Sequence, residues 1–236
     1  GTDDDAGSSV ATDGLDNVFL AGYTKSAINI ASGGFQTVYA GAWDAFLVKF
    51  DGTSIRLWAT YYGGTGADYG VSAATDAAGN VYLAGQTLSV ANIALGGFQT
   101  AYGGGINDAF LVKFDMGGGI LWATYYGGTG NDYCYGVATD VLGNVYLAGY
   151  TNSTANIALG GFQNIYGGGN AFLPLGDAFL VKFNGTGNRL WATYYGGTEN
   201  EEVALDCLAT DAAGNVYLAG DTYSPNTGNV IALGGF

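Results

Sequence analysis

The chain has 236 residues and 24.1 kDa, room for one domain or two small ones; its 43 glycines show no period of three and come with only 2 prolines, so it is not collagen-like. Six basic against twenty acidic residues give a formal charge of −14, which argues against nucleic acid and anionic membrane as partners, and no apolar run approaches the ~20 residues that span a bilayer. Histidine is absent, which removes His-based triads, His general bases and His metal ligands together.

The first residues, Gly1-Thr2-Asp3-Asp4-Asp5, lack the basic start and apolar stretch of a signal peptide. From Thr12 the chain reads TDGLDNVFLAG; a Gly-Gly-Phe segment follows at Phe35, DAFLVKF starts at Asp44 and LWATYYGGT at Leu57. The first phrase returns at Thr75, Thr139 and Thr210, so its aspartates Asp13, Asp76, Asp140 and Asp211 lie 63, 64 and 71 residues apart. DAFLVKF returns at Asp108 and Asp177, the LWATYYGG phrase at Leu121 and Leu190, and Gly-Gly-Phe at Phe98, Phe162 and Phe236. Self-similarity at such a period is the mark of a repeat architecture.

The second unit shows the elements most clearly. Gly70–Asp76, Asn80–Thr87, Asp108–Asp115 and Ile120–Gly127 are short runs rich in Val, Phe, Tyr, Trp and Leu, bounded by Gly, Asn and Asp, and they predict four strands, A to D. Asp76-Ala77-Ala78-Gly79-Asn80 predicts a hairpin turn between A and B, and Asp115 to Gly119 one between C and D. On strand C, Phe110, Val112 and Phe114 share one face, with Leu111 and Lys113 on the other, so both faces need cover. Four-stranded sheets stacked face to face meet that need, as in a β-propeller. The fold class expected is all-β, a propeller-type array of four-stranded antiparallel blades. Repeats are placed at residues 1–63, 64–127 and 128–196, with a partial one (strands A and B) at 197–236, about three and a half blades. Completion by further blades or by other chains is expected.

The run from GGTGADYGVSAATDAAGNVYLAGQT through GGFQTAYGGGINDAFLVKFD to LWATYYGG resembles the SBBP-type bacterial β-propeller repeat family, and the A–B hairpin also resembles NHL-type blades. The family's usual Phe-Pro pair before the GGFQ stretch is replaced here by Asn92 to Leu95. The resemblance implies a secreted or cell-surface propeller and brings no family-wide catalytic set.

The acidic residues recur by unit. Asp5, Asp68, Asp132 and Glu201 each stand third after a Gly-Thr, and Asp44, Asp108 and Asp177 open strand C. Such positions read as turn caps or as oxygen ligands for calcium. The runs Asp3, Asp4, Asp5 and Glu199, Glu201, Glu202 are the cation candidates, with no neighbouring base in the sequence to neutralise them. An active site should be singular, and only Glu199 to Glu202 with Asp206 is; no catalytic residue is assigned and no enzyme is expected. Lys49, Lys113 and Lys182 share one strand C position and are expected to pair with a recurring Asp. Trp58, Trp122 and Trp191 read as blade-to-blade packing, while one Tyr of each Tyr-Tyr pair is expected to face outward, where it would suit a glycan. Cys134 and Cys207 fall on strand A of consecutive units, on the same side, as a disulfide or as two buried thiols. The expected role is an extracellular structural or interaction module whose partners are further blades, copies of itself or glycans.

Overall fold

Each repeat folds as two antiparallel hairpins, and the turn residues show why. In the second unit the Asp76 carboxylate accepts the N–H groups of Ala78 and Asn80, both at 3.0 Å, and Gly79 takes the positive φ of 79° that closes the turn. The same Asp turn recurs at Asp13, Asp140 and Asp211. The structure, a computed structural model, describes residues 1–169 and 176–225. The last Gly-Gly-Phe, ending at Phe236, lies outside them.

Fourteen strands follow in order: β1 (Asp5–Thr12), β2 (Val18–Thr24), β3 (Asp44–Phe50), β4 (Arg56–Tyr62), β5 (Asp68–Thr75), β6 (Val81–Thr87), β7 (Asp108–Phe114), β8 (Ile120–Tyr126), β9 (Asp132–Thr139), β10 (Val145–Thr151), β11 (Asp177–Phe183), β12 (Arg189–Tyr195), β13 (Glu201–Thr210) and β14 (Val216–Thr222). They form three four-stranded sheets, β1–β4, β5–β8 and β9–β12, each in sequence order, and a two-stranded sheet, β13–β14. All pairings are antiparallel.

The sheets stack face to face. Their shared layers hold the core: Phe110, Leu111, Val112 and Phe114 of β7 are all fully buried, as the two-faced apolar pattern of strand C requires. The first strands of the sheets lie side by side along the stack. Thr75 donates its hydroxyl to the Thr12 carbonyl, Thr139 to Thr75 and Thr210 to Thr139, each at 2.7 Å.

The long B–C connections protect the other edge. Leu95 exchanges two backbone hydrogen bonds with Ala123, at 2.8 and 2.9 Å, and Tyr125 N–H bonds the Gln99 carbonyl at 3.0 Å. The Gly-Gly-Phe-Gln segment thus runs along β8, the last strand of its sheet, and covers an edge that would otherwise present unpaired backbone groups. The first and third sheets repeat this through Ser32 and Ala59 and through Leu159 and Ala192.

Candidate functional site

Two recurring joints hold the blades together. In the first, a tryptophan and a lysine of one blade meet the C–D turn of the next. Trp58 Nε1 donates to the Met116 carbonyl at 3.0 Å and Lys49 Nζ to the same oxygen at 3.4 Å. One blade on, Trp122 Nε1 and Lys113 Nζ converge on the Gly185 carbonyl at 3.0 and 3.3 Å. Lys113 also pairs with Asp76 of its own blade at 3.0 Å, and Lys182 with Asp140 at 3.1 Å. The expected Lys–Asp partnership therefore forms within the blade, and the same ammonium reaches across to its neighbour. Burial pushes the Asp76 carboxyl up, but the Asn80 amide and the Lys113 ammonium outweigh it and hold it below the ordinary range.

Tyrosines complete this joint. Tyr62 packs on Phe110 and Phe114 of the next blade, and Tyr126 on Phe179 and Phe183. Tyr126 donates its hydroxyl to the Ile157 carbonyl at 2.6 Å, and Tyr62 to Ile93. Both residues of the first two Tyr-Tyr pairs are buried, contrary to the expectation that one would face outward. Tyr61 and Tyr125 lie under their own blade's B–C segment, where Tyr39 and Tyr102 pack edge-on against them. Strand D is thus covered on both faces, and period-2 alternation does not separate inside from outside.

The second joint gathers carboxyls. Asp108 opens β7 and Asp132 opens β9 of the next blade; both are fully buried. A methyl group placed on Gly127 would lie 2.6 Å from Asp132 Oδ2 and 2.7 Å from Asp108 Oδ1, so both oxygens border the same small space. Asp44 and Asp68 flank Gly63 in the same way, and Asp177 and Glu201 flank Gly196. Asp132 accepts the Thr151 and Ser153 hydroxyls and the Gly128 N–H. Asp108 Oδ2 accepts the Gly103 N–H at 2.6 Å and the Gln99 amide at 3.3 Å. Burial pushes Asp44 and Asp132 up to about 6 and Asp108 and Asp177 up to about 7. Sequence reasoning recorded both aspartate series but did not bring them together, nor did it find Gln99, Thr151 and Ser153; the available signal was that these three residues also recur, as Gln36, Thr87 and Ser89.

The cation candidates do not converge. Asp3 accepts the Asp4 N–H, Asp4 pairs with Lys25 at 3.4 Å, and Asp5 accepts the Thr24 hydroxyl. Lys25 is the basic neighbour that the local sequence did not reveal. Glu201 is buried and accepts the Thr222 hydroxyl at 2.8 Å, while Glu202 is exposed on the opposite side of β13. Among the described residues no group of three or more His, Cys, Asp or Glu side chains is placed to hold a metal ion. Cys134 and Cys207 are both buried and both free thiols. They are neighbours: a side chain on Gly136 would meet Cys207 Sγ at 2.8 Å, and Cys134 Sγ faces the Gly136 carbonyl at 3.9 Å. Burial raises both thiols, Cys207 to about 12.

Among the described residues the last sheet leaves exposed what the others cover. Tyr195 is 38% exposed, where the equivalent Tyr62 and Tyr126 are 1% and 0%. A groove of about 410 Å³ opens there, lined by Ala178, Leu180 and Tyr195 on one side and Val203 and Leu218 on the other. Among the described residues β14 pairs only with β13, whereas β2, β6 and β10 each pair on both edges.

Among the described residues no helix is long and apolar enough to cross a membrane. In sequence, the chain is 26% identical over 189 residues to an uncharacterized WD repeat-containing protein of Acanthamoeba polyphaga mimivirus, covering 70% of this chain and 13% of that protein. It is 27% identical over 165 residues to the regulatory protein FlaEY of Caulobacter vibrioides, covering 70% of this chain and 17% of that one. The chain therefore spans less than a fifth of either relative's length. The SBBP β-propeller repeat matches residues 57–93 and 121–158, each running from strand D of one blade through the A–B hairpin of the next. The chain thus carries SBBP-type β-propeller repeats at two places, and its stacked four-stranded antiparallel sheets have the form of propeller blades.

Proposed function

We propose that the chain is a non-enzymatic structural and interaction module that works at the cell surface or outside the cell. It does so by adding blades, its own or those of another copy, face to face. The observation behind this reading is the groove beside Tyr195, bordered by β14, which among the described residues pairs on one edge only. At the two preceding junctions the same Tyr is covered by two phenylalanines four residues apart on a strand C. The ligand suited to the groove is therefore a strand of the Asp-Ala-Phe-Leu-Val-Lys-Phe type, paired along β14 with its phenylalanines on Tyr195. Size-exclusion chromatography with light scattering on this chain tests the reading. Concentration-dependent association that Tyr195→Lys weakens supports it, and a compact monomer at all concentrations overturns it.

A carbohydrate-binding reading has one observation in its favour. Phe35, Phe98 and Phe162, one per blade, are 55%, 39% and 61% exposed. Trp58 and Trp122 are buried, which leaves these phenylalanines as exposed rings that recur in every one of the first three blades and on which a glycan would stack. A glycan array separates this reading from the first.

A further inference from the structure

The Asp108–Asp132 junction has an arrangement that a pair of carboxylates does not explain. Asp108 is fully buried, and its Oδ1 has no hydrogen-bond partner. Asp132 Oδ2 borders the same methyl-sized space at Gly127. Two buried carboxyl oxygens then border one small space, and the one on Asp108 has no donor, which is costly in a low-dielectric site. The surroundings supply no counter-charge. The donors to the pair are Gln99, Thr151, Ser153 and backbone N–H groups, all neutral. The titratable groups facing it from the neighbouring elements are the phenols of Tyr102, Tyr125, Tyr126 and Tyr194. Lys113, the base of β7, is engaged with Asp76 and Gly185. Arg189 is directed to the Asn156 and Ile157 carbonyls.

We infer that Asp108 and Asp132 hold one proton between them, with Asp108 Oδ1–H donating to Asp132 Oδ2, and that this shared proton makes the joint between the second and third blades pH-sensitive. The donor and acceptor roles follow from the other bonds. Every hydrogen bond to Asp132 demands an acceptor at both of its oxygens, whereas Asp108 demands one only at Oδ2. Asp108 Oδ1 is thus the oxygen with room for a hydrogen. At the neighbouring junctions that position is already served, by the Gly41 N–H on Asp44 Oδ1 at 3.0 Å and the Gly168 N–H on Asp177 Oδ1 at 3.2 Å, whereas the equivalent Gly104 N–H lowers Asp108 by its dipole but does not close a hydrogen bond to Oδ1. The inference is therefore confined to the middle pair.

The sign of the effect is fixed by linkage. Burial, opposed by the Gly103 and Gly104 N–H dipoles and reinforced by the Asp132 charge, raises Asp108 to about 7, above the value of 3.8 for an unperturbed aspartate. The folded chain binds the proton more tightly than the unfolded chain does. Its stabilisation is complete below about pH 4 and is lost as pH rises through about 7.

Asp108→Asn and Asp132→Asn separate this from a merely structural role. An asparagine at 108 keeps its carbonyl oxygen for Gln99 and Gly103 and presents a permanent N–H to Asp132. An asparagine at 132 turns its amide hydrogens against N–H and O–H donors. Melting is followed from about pH 5 to about pH 8.5, with infrared detection of the protonated carboxyl stretch. The expected result is a wild-type melting temperature that falls across this range and a protonated carboxyl band that persists at neutral pH. In Asp108→Asn that band weakens, Asp177 keeping its own share, and the fall becomes shallower, so that this variant melts at or above wild type at the alkaline end. Asp132→Asn melts lower throughout. The inference is overturned if Asp108→Asn loses as much stability as Asp132→Asn, or if no protonated band is seen in wild type at neutral pH. It is equally overturned if millimolar Ca²⁺ at the alkaline end raises the melting temperature of wild type but not of Asp108→Asn, since a cation rather than a proton would then fill the space.

Discussion

Trp122 Nε1 donates to the Gly185 carbonyl at 3.0 Å, and through that bond the indole of one blade lies on the C–D turn of the next. Two residues on, Gly187 sits under the same indole with φ 84°, and a methyl group on it would approach Trp122 Cδ2 to 2.8 Å. Gly143, at φ 78°, has nothing within 4 Å of the corresponding position. Gly143→Ala carries only the backbone strain of a left-handed residue, about 1–2 kcal/mol. Gly187→Ala carries that strain and overpacking as well, about 1–3 kcal/mol more. Urea denaturation of the two variants checks the difference; equal losses would mean that the indole yields freely.

The Lys113 ammonium serves two blades at once, with Asp76 at 3.0 Å and the Gly185 carbonyl at 3.3 Å. Lys113→Met keeps the stem but leaves the Asp76 carboxylate with its Asn80 and backbone donors only. A loss of about 1.5–3 kcal/mol is expected, the range for hydrogen bonds to charged groups. Asp76→Asn in the Lys113→Met background should restore part of it. A double-mutant cycle with no coupling would place the value of Lys113 in its stem.

Tyr126 combines a ring between blades with a hydroxyl on the Ile157 carbonyl. Removing only the hydroxyl, in Tyr126→Phe, should cost about 0.5–1.5 kcal/mol. Removing the ring, in Tyr126→Ala, should cost about 3–5 kcal/mol, as for other buried aromatic truncations. Calorimetric melting of both variants measures how much of the joint is packing.

The acid limb of stability belongs to the A–B turns. Burial raises the Asp140 carboxyl, but hydrogen bonds from Asn144, Lys182 and Tyr146 outweigh it and bring it to about 2, below the unperturbed 3.8. The stabilisation is present above about pH 4 and is lost as pH falls towards 2. A urea midpoint that drops over this window, and drops less in Asp140→Asn, is expected. An unchanged midpoint in wild type would remove these turns from the acid transition.

Cys134 and Cys207 should resist alkylation in the folded chain, because both are buried and both thiols are raised above their ordinary value. After denaturation without reductant, both should be modified. Mass spectrometry counting fewer than two adducts would show that the sulfurs had bonded, which their shared neighbour Gly136 makes a meaningful control.

Strands and turns were legible in the sequence because each rests on local chemistry repeated several times. Asp76 and Gly79 dictate a turn wherever they recur, and DAFLVKF is apolar on both sides. The cross-blade contacts were not legible, since they depend on how one sheet lies on the next. Asp108 and Asp132 are 24 residues apart and belong to two separately repeating phrases, and nothing in either phrase states that they meet. The tyrosine pairs show the same limit from another side. Alternation predicts one outward ring when a single face is covered, but the Gly-Gly-Phe-Gln segment returns to cover the second face. The acidic runs near both ends were conspicuous by density, yet density fixes no geometry: Glu201 and Glu202 point to opposite sides of one strand.

The threonine bonds along the first strands have a further consequence. In all three, the later blade donates and the earlier blade accepts: Thr75 to Thr12, Thr139 to Thr75, Thr210 to Thr139. The two ends of the stack are therefore chemically different, one offering a carbonyl and the other a hydroxyl, and a blade added upside down cannot complete the series. Such head-to-tail contacts give the array a polarity. Whether it ends as a ring or runs on as a helix is then decided by one quantity, the rotation from each blade to the next.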